Sequence, residues 1–413
     1  MENLENDINI KCPLCNAKSK FEKIFYKENV FSGSQIFDFY PEKQKNDIDF
    51  GLGDCIMDIR QCCNCGFIYN FEFDHNKIEK VYSSKKYMQQ KVFSKTLNNT
   101  LVYIKNKIKS FSDKDDIFLE IAPGLGDLLL ALSQEVKFIY AVDPSPSSKE
   151  IIKNCNNIKY IQSFFDEKIK IKIDKKIDFI IFRHLLEHIE NPREFLINVV
   201  NMLSEQGKIY IEVPNAQEIF DNGRFYEFFH DHVCYFQPNT LINILNELGC
   251  ELLEIEYLRE KQFMGLFFKK NKNLKLNKLK VNYINNSNVL YKNINDINNF
   301  ASKYNNIAIM GGGIHANSIL NYLNENNRKN IIKCFDANTS KIGRFLQNTD
   351  IKIVEINEIN LKEIELIIMA MPVVESYVFD NEINSFINSG FLPNLKAIVL
   401  TRNNLKFIKY NKE

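Results

Sequence analysis

"IFLEIAPGLGDLLLAL", residues 117–132, changes its period halfway along. The opening "IFLEIA" is a short apolar run of the kind that fills a buried strand, and the closing leucines follow helical spacing. Between them stand Gly124 and Gly126. Glycines there let the backbone turn tightly and approach a ligand at the N-terminus of the coming helix. The next apolar run, "KFIYAVDPS", ends on Asp143, placed to accept hydrogen bonds from ribose hydroxyls. Strand, glycine turn, helix and second strand make a parallel βαβ unit, so the expected fold is an α/β doubly wound sheet with a nucleotide-like ligand at the turn.

The pattern continues outward. "DFIIFRHLLEHI" and "KIYIEVPN" read as further strands of the same sheet. From about 268 to 304, Lys, Asn and Leu dominate, as in a linker carrying an amphipathic connecting helix. A second, smaller α/β region follows, built from "NIAIMGGGIHANSILNYL", "IIKCFDANTSKIG", "ELIIMAMP" and "LKAIVLT". The expected division is residues 1–73, residues 74–267 with a helical lead-in, and residues 268–413. The glycine turn at 311–316 fits G-x-G-x-x-A with Asp336 ending the next strand, which alone would suggest NAD.

With 413 residues, two or three domains are expected. The 53 basic and 52 acidic residues leave a net charge of +1, which offers no electrostatic case for nucleic acid or an anionic membrane. No apolar run approaches the roughly 20 residues of a membrane span. The polar start "MENLENDINIKCPLC" has no signal-peptide core, so a cytoplasmic location is expected.

Six of the ten cysteines lie within the first 65 residues. Cys12-x2-Cys15 and Cys62-x2-Cys65 form two knuckles, each aiming two sulfurs at one point, with Gly66 permitting the second turn. In a reducing compartment this pattern reads as a structural four-thiolate Zn2+ site rather than disulfides. Cys55 and Cys63 are read as spectators.

Glu120, Ala122, Gly124 and Gly126, followed by Asp143, fit the strand-end E-x-A/G-x-G-x-G pattern of class I methyltransferases, which bind S-adenosyl-L-methionine (AdoMet). NAD sites use a related geometry, so the turn alone leaves both open. The downstream "RHLLEH", opened by Arg183 and His184, with "EVPN" after it, resembles the matching segment of AdoMet methyltransferases. Together with the paired knuckles, the H-x-H-x-x-Y-F stretch and the C-terminal glycine turn, the order resembles that of the three-part sugar C-methyltransferases that make branched deoxysugars. That resemblance covers nearly the whole chain. It implies an N-terminal zinc-binding module, a central AdoMet domain contacted by Arg183 as well, and a C-terminal Rossmann-like domain without a redox role. The implied substrate is a nucleotide-linked keto sugar, and the implied assembly is a monomer or dimer.

"FFHDHVCYF", residues 228–236, then acquires a role. It resembles a family segment close to Y-x-E-H-x-S-Y-F beside the methyl group. The match makes His232 the general base that removes the proton next to the ketone, since neutral imidazole titrates near working pH. Asp231 would orient it, His184 would stand near the substrate, and Tyr87 resembles another tyrosine of the sugar site. Two positions depart: Asp231 replaces Glu, and Phe229 replaces a tyrosine whose hydroxyl could serve the enolate oxygen. Methylation of oxygen or nitrogen therefore stays as the alternative, with an NAD-binding dehydrogenase or a non-catalytic AdoMet and zinc scaffold behind it. His230 is expected to be a hydrogen-bonded structural residue. The H-D-H run is not expected to hold a metal by itself.

Overall fold

The computed structural model describes residues 8–30, 55–76, 78, 95–145, 155–173, 175–284, 287–346, 349–402 and 404–410. Strands β1 (Ile8–Lys11), β2 (Lys18–Val30), β3 (Cys55–Cys62) and β4 (Ile68–Asn70) form an antiparallel sheet in that order. β2 buries Ile24, Phe25 and Val30, and β3 buries Cys55, Met57 and Ile59, which together face the core. Helix α1 (Lys95–Ser110) follows, and its Ile104 and Ile108 cover one face of the central sheet.

The central sheet opens with β5 (Ile117–Ile121), β6 (Phe138–Val142), β7 (Ile158–Ile161), β8 (Ile177–Arg183) and β9 (Leu203–Pro214). These are parallel to one another, and their runs of Ile, Phe and Val are what a sheet buried on both faces requires. Helices α2 (Asp127–Ser133) and α3 (Pro192–Met202) are crossovers between them. Pro192 starts α3, where its missing N–H costs nothing. After β9, the two-residue strand β10 (Cys234–Tyr235) leaves this sheet to pair with β4. Helix α4 (Pro238–Glu247) leads into the hairpin β11 (Cys250–Leu258) and β12 (Phe263–Lys270), which is antiparallel to β9. The order is β11-β12-β9-β8-β5-β6-β7. Chain direction across the sheet reverses between β5 and β8, the place where open α/β sheets leave a crevice for ligand.

Helix α5 (Asn288–Ala301) connects to the third sheet. That sheet contains β13 (Ile307–Met310), β14 (Ile331–Phe335), β15 (Ile353–Val354), β16 (Leu366–Met369), β17 (Ala397–Leu400) and β18 (Lys406–Lys409). Its order is β15-β14-β13-β16-β17-β18, with only β18 antiparallel. Helix α6 (Ile314–Tyr322) follows the second glycine turn. One hydrophobic core joins the first and third sheets through the segment before β10: Phe25 stacks on Phe228 at 4.7 Å, and Phe225 meets Tyr322 edge-on at 5.0 Å.

Candidate active site

Glu120 ends on the buried side of β5, 4% exposed, and its Oε2 has no hydrogen-bond partner. Burial pushes the carboxyl up to about 7, against the pull of Arg183. Beyond it the chain turns through left-handed backbone at Ala122 (φ 53°), Gly124 (φ 58°) and Gly126 (φ 75°). A Cβ built at Gly124 would meet nothing within 4 Å, so this turn faces open space. Asp143 closes the crevice from β6: its Oδ2 accepts the Gly124 N–H at 3.3 Å and its Oδ1 accepts the Ser145 N–H at 2.7 Å. An orphaned buried acidic oxygen, an open glycine turn and a fixed carboxylate suit a ligand that carries an ammonium group and ribose hydroxyls. Glu120, Ala122, Gly124, Gly126 and Asp143 are thus brought together as the sequence implied.

Arg183 does something more internal. Its Nε donates to Glu212 Oε2 at 2.7 Å, and Tyr210 Oη donates to the same oxygen at 3.1 Å. Glu212 is fully buried on β9, yet Arg183 and His184 hold its carboxyl well below the usual range despite burial. Next to it, His184 adopts left-handed backbone (φ 50°), an uncommon state for a residue with a side chain and one that clusters at functional sites. Its Nε2 lies 3.1 Å from Glu212 Oε1, and its ring is edge-on to Phe263 at 5.0 Å.

The "HLLEH" stretch does not form the α-helix that would put His184 and His188 on one face. Leu186–His188 is a single 3-10 turn, and His184 belongs to the strand end before it. That turn sends Glu187 and His188 toward the segment before β10. Val233 N–H donates to the Glu187 carbonyl at 2.8 Å, and His188 Nδ1 lies 2.7 Å from the Asp231 carbonyl. His188 and His232 meet edge-on at 4.7 Å. Burial, then the neighbouring His188, His184 and His315, hold His232 well below the usual imidazole range, so its ring is neutral. Phe229, standing where the resembled family has a tyrosine, contacts His232 at 5.0 Å on one side and His315 at 5.4 Å on the other. His315 comes from α6 of the third sheet and pairs with Glu227 at 3.4 Å.

His230 points away from this group. Its Nε2 donates to the Glu72 carbonyl at 3.0 Å, and its ring stacks on Phe73 at 5.9 Å. Asp231 is buried, and it is its backbone carbonyl that reaches His188. Tyr87 lies outside the described residues.

Glu187, Glu212 and His315 were not singled out from the sequence as site residues. Glu212 did carry a signal, a lone carboxylate inside the apolar run "IYIEV". Glu187 lies inside the quoted "HLLEH" stretch, whereas nothing local to His315 indicates its neighbours.

Cys12, Cys15, Cys62 and Cys65 converge, with all four sulfurs within 4.8 Å of one another. Cys12 and Cys65 sulfurs are 3.8 Å apart. Zinc–sulfur bonds of about 2.3 Å in a tetrahedron place sulfurs about 3.8 Å apart, so the donor set fits zinc. The two knuckles match: Asn16 N–H donates to the Cys12 carbonyl and Gly66 N–H to the Cys62 carbonyl, both at 2.9 Å, and both turns end left-handed. Gly66 has a further reason to be glycine, because a Cβ would sit 2.9 Å from that of Val281.

The C-terminal glycine turn differs from the first. Asp336 Oδ2 accepts the Gly312 N–H at 2.8 Å and the Lys341 ammonium at 2.9 Å, while Oδ1 accepts the Asn338 N–H at 2.8 Å. The carboxylate that an NAD ribose would need thus already has a buried ammonium partner.

The family profile described as "Methyltransferase domain" matches residues 68–255. A ubiquinone biosynthesis O-methyltransferase of Rickettsia bellii is 27% identical over 177 residues, covering 38% of this chain and 72% of that protein. The C-methyltransferase NovU of Streptomyces niveus is 23% identical over 143 residues, 34% of each chain. Among solved structures, the N-methyltransferase NodS from Bradyrhizobium japonicum with S-adenosyl-L-homocysteine aligns at 14% identity and a TM-score of 0.36, over 48% of this chain and 97% of its own. Strand order, the glycine turn on β5 and the sequence match agree: residues 68–255 carry a class I AdoMet-dependent methyltransferase domain, and the chain is an AdoMet-dependent methyltransferase.

Proposed function

We propose that the chain methylates a carbon of a nucleotide-linked keto deoxysugar, by way of an enolate. The observation that carries this reading is the histidine group beside the crevice. His184 and His232 present imidazoles from two segments, one oriented by the buried Glu212 and the other kept neutral by burial. A carbon acid needs such a group, whereas a hydroxyl can be methylated with proximity and a weak base alone.

Bound AdoMet would supply an electrophilic methyl on a sulfonium. Glu120 and Asp143 would hold its ammonium and ribose, and the glycine turn would leave room for its backbone-facing edge. An imidazole of the group takes the proton next to the ketone, and the electron pair of that C–H bond becomes the enolate. The enolate carbon would take the methyl, with the electron pair of the broken S–CH3 bond staying on sulfur. The proton would stay on histidine until solvent takes it. Cys12, Cys15, Cys62 and Cys65 would hold a structural zinc with no open position for chemistry.

The test is to incubate the protein with S-adenosyl-L-homocysteine and a panel of nucleotide-activated keto sugars in deuterium oxide. Deuterium uptake next to the ketone, together with a carbon-bound label from methyl-labelled AdoMet, is the expected result. The R. bellii relative favours a second reading, methylation of oxygen. A label on oxygen with no deuterium uptake would select it.

A further inference from the structure

Glu187, His188 and His232 bring one carboxylate oxygen and two ring nitrogens within 4.8 Å of one another. None of the three was gathered for the cysteine cluster or for the glycine turn. Glu187 is 2% exposed, and its Oε2 is buried with no hydrogen-bond partner. Leaving such an oxygen unsatisfied is costly, so its retention calls for an occupant.

The histidines are arranged for one. A carbonyl oxygen only accepts, so the 2.7 Å contact to Asp231 places a proton on His188 Nδ1. A backbone carbonyl holding the far nitrogen of a histidine is the usual support behind a metal ligand, where it sets both tautomer and ring direction. The Val233–Glu187 backbone bond at 2.8 Å holds the two segments together.

We infer that Glu187, His188 and His232 form a site for a divalent transition-metal cation, separate from the four-thiolate cluster. One carboxylate and two imidazoles suit borderline cations such as Zn2+, Co2+ or Fe2+, whereas the four sulfurs of the other cluster favour zinc. Bonds of about 2.1 Å would draw the donors inward on their side chains. Three protein ligands leave positions open, the mark of a catalytic rather than a structural site. Its function rests on the methyl-transfer reading above: an open position next to the crevice suits the oxygen of the acceptor. With His232 serving as a ligand, proton removal falls to His184, which Glu212 orients.

The test uses the full-length protein carrying one equivalent of zinc, with Co2+ as probe, followed by gel filtration and elemental analysis. The expected result is one zinc and one cobalt per chain, with the weak visible bands of nitrogen and oxygen ligation and no thiolate charge-transfer band. Glu187→Gln and His188→Gln should each weaken Co2+ binding by at least about tenfold while keeping zinc and S-adenosyl-L-homocysteine binding. His232→Gln gives the same readout should either of the others fail to fold. Cobalt found only with thiolate bands, or undiminished in the folded variants, overturns the site. Cobalt bound as expected with no deuterium exchange on any keto sugar keeps the site and rejects the enolate reading. Exchange without cobalt binding does the reverse.

Discussion

His184 and Glu212 are joined twice at the C-terminal ends of adjacent parallel strands. The backbone N–H of His184 donates to the Glu212 carbonyl at 2.9 Å, and the ring Nε2 lies 3.1 Å from Oε1 of the same residue. The first contact continues the sheet past its last regular pair. The second fixes the ring over the crevice, and the left-handed backbone at His184 is what lets one residue make both.

Glu212→Gln is therefore expected to cost more than His184→Ala. Arg183 loses its buried counter-ion in the first variant, and breaking a buried pair costs about 3–5 kcal/mol. His184 is half-buried, and its removal strands no charge that Arg183 does not still neutralise. Urea denaturation of both variants checks the order. Equal losses would mean that Arg183 finds another partner.

Asp143→Ala should weaken S-adenosyl-L-homocysteine binding at least about tenfold, since it removes charge-assisted hydrogen bonds from a half-enclosed crevice. Because Asp143 also accepts the Gly124 and Ser145 N–H groups, a stability loss of about 1–2 kcal/mol should accompany it. Calorimetry and thermal unfolding read the two effects separately.

Glu120 makes ligand affinity depend on pH. Its carboxyl is raised from 4.5 to about 7 in the folded protein, so the folded state holds a proton that the unfolded state has released. The ligand-free protein should thus lose stability as pH rises from about 4.5 to about 7, on the order of 3 kcal/mol. AdoMet, whose ammonium favours the carboxylate, should bind up to about tenfold more tightly at pH 8 than at pH 6 and release a proton on binding. Glu120→Gln should flatten both profiles, as followed by calorimetry in two buffers of different ionisation enthalpy.

Zinc should be present at one equivalent per chain in protein purified without chelator, and Cys12→Ser should lose it. Because the knuckles hold β2 and β3 at their ends, chelation should lower the unfolding temperature before it affects S-adenosyl-L-homocysteine binding. Elemental analysis and thermal melts follow the two quantities.

Much of this was legible in the chain because it depends on short-range order. The strand ending at Glu120, its glycine turn and the strand ending at Asp143 are consecutive, so periodicity alone locates them. The cysteine knuckles repeat a spacing. The second glycine turn shows the limit: "GGGIHA" reads as a nucleotide turn, but Lys341 supplies Asp336 with a partner that no spacing rule anticipates. "HLLEH" shows another. Helical spacing would have paired His184 with His188, whereas the 3-10 turn sends His188 to Asp231 and leaves His184 with Glu212. These partners lie in segments that meet only when the strand order is known.

The two-residue strand β10 has a consequence for dissecting the molecule. Cys234 and Tyr235 pair with Tyr69 and Ile68 of the N-terminal sheet, although the strands before and after them in the chain, β9 and β11, belong to the central sheet. A knife drawn between the sheets therefore cuts across the chain in the middle of the histidine segment, just after His232. The family profile spans 68–255, but that stretch excised alone would leave β4 without β3 and the histidine segment held only through β4. A cut that keeps only the central sheet therefore removes the partner of β10.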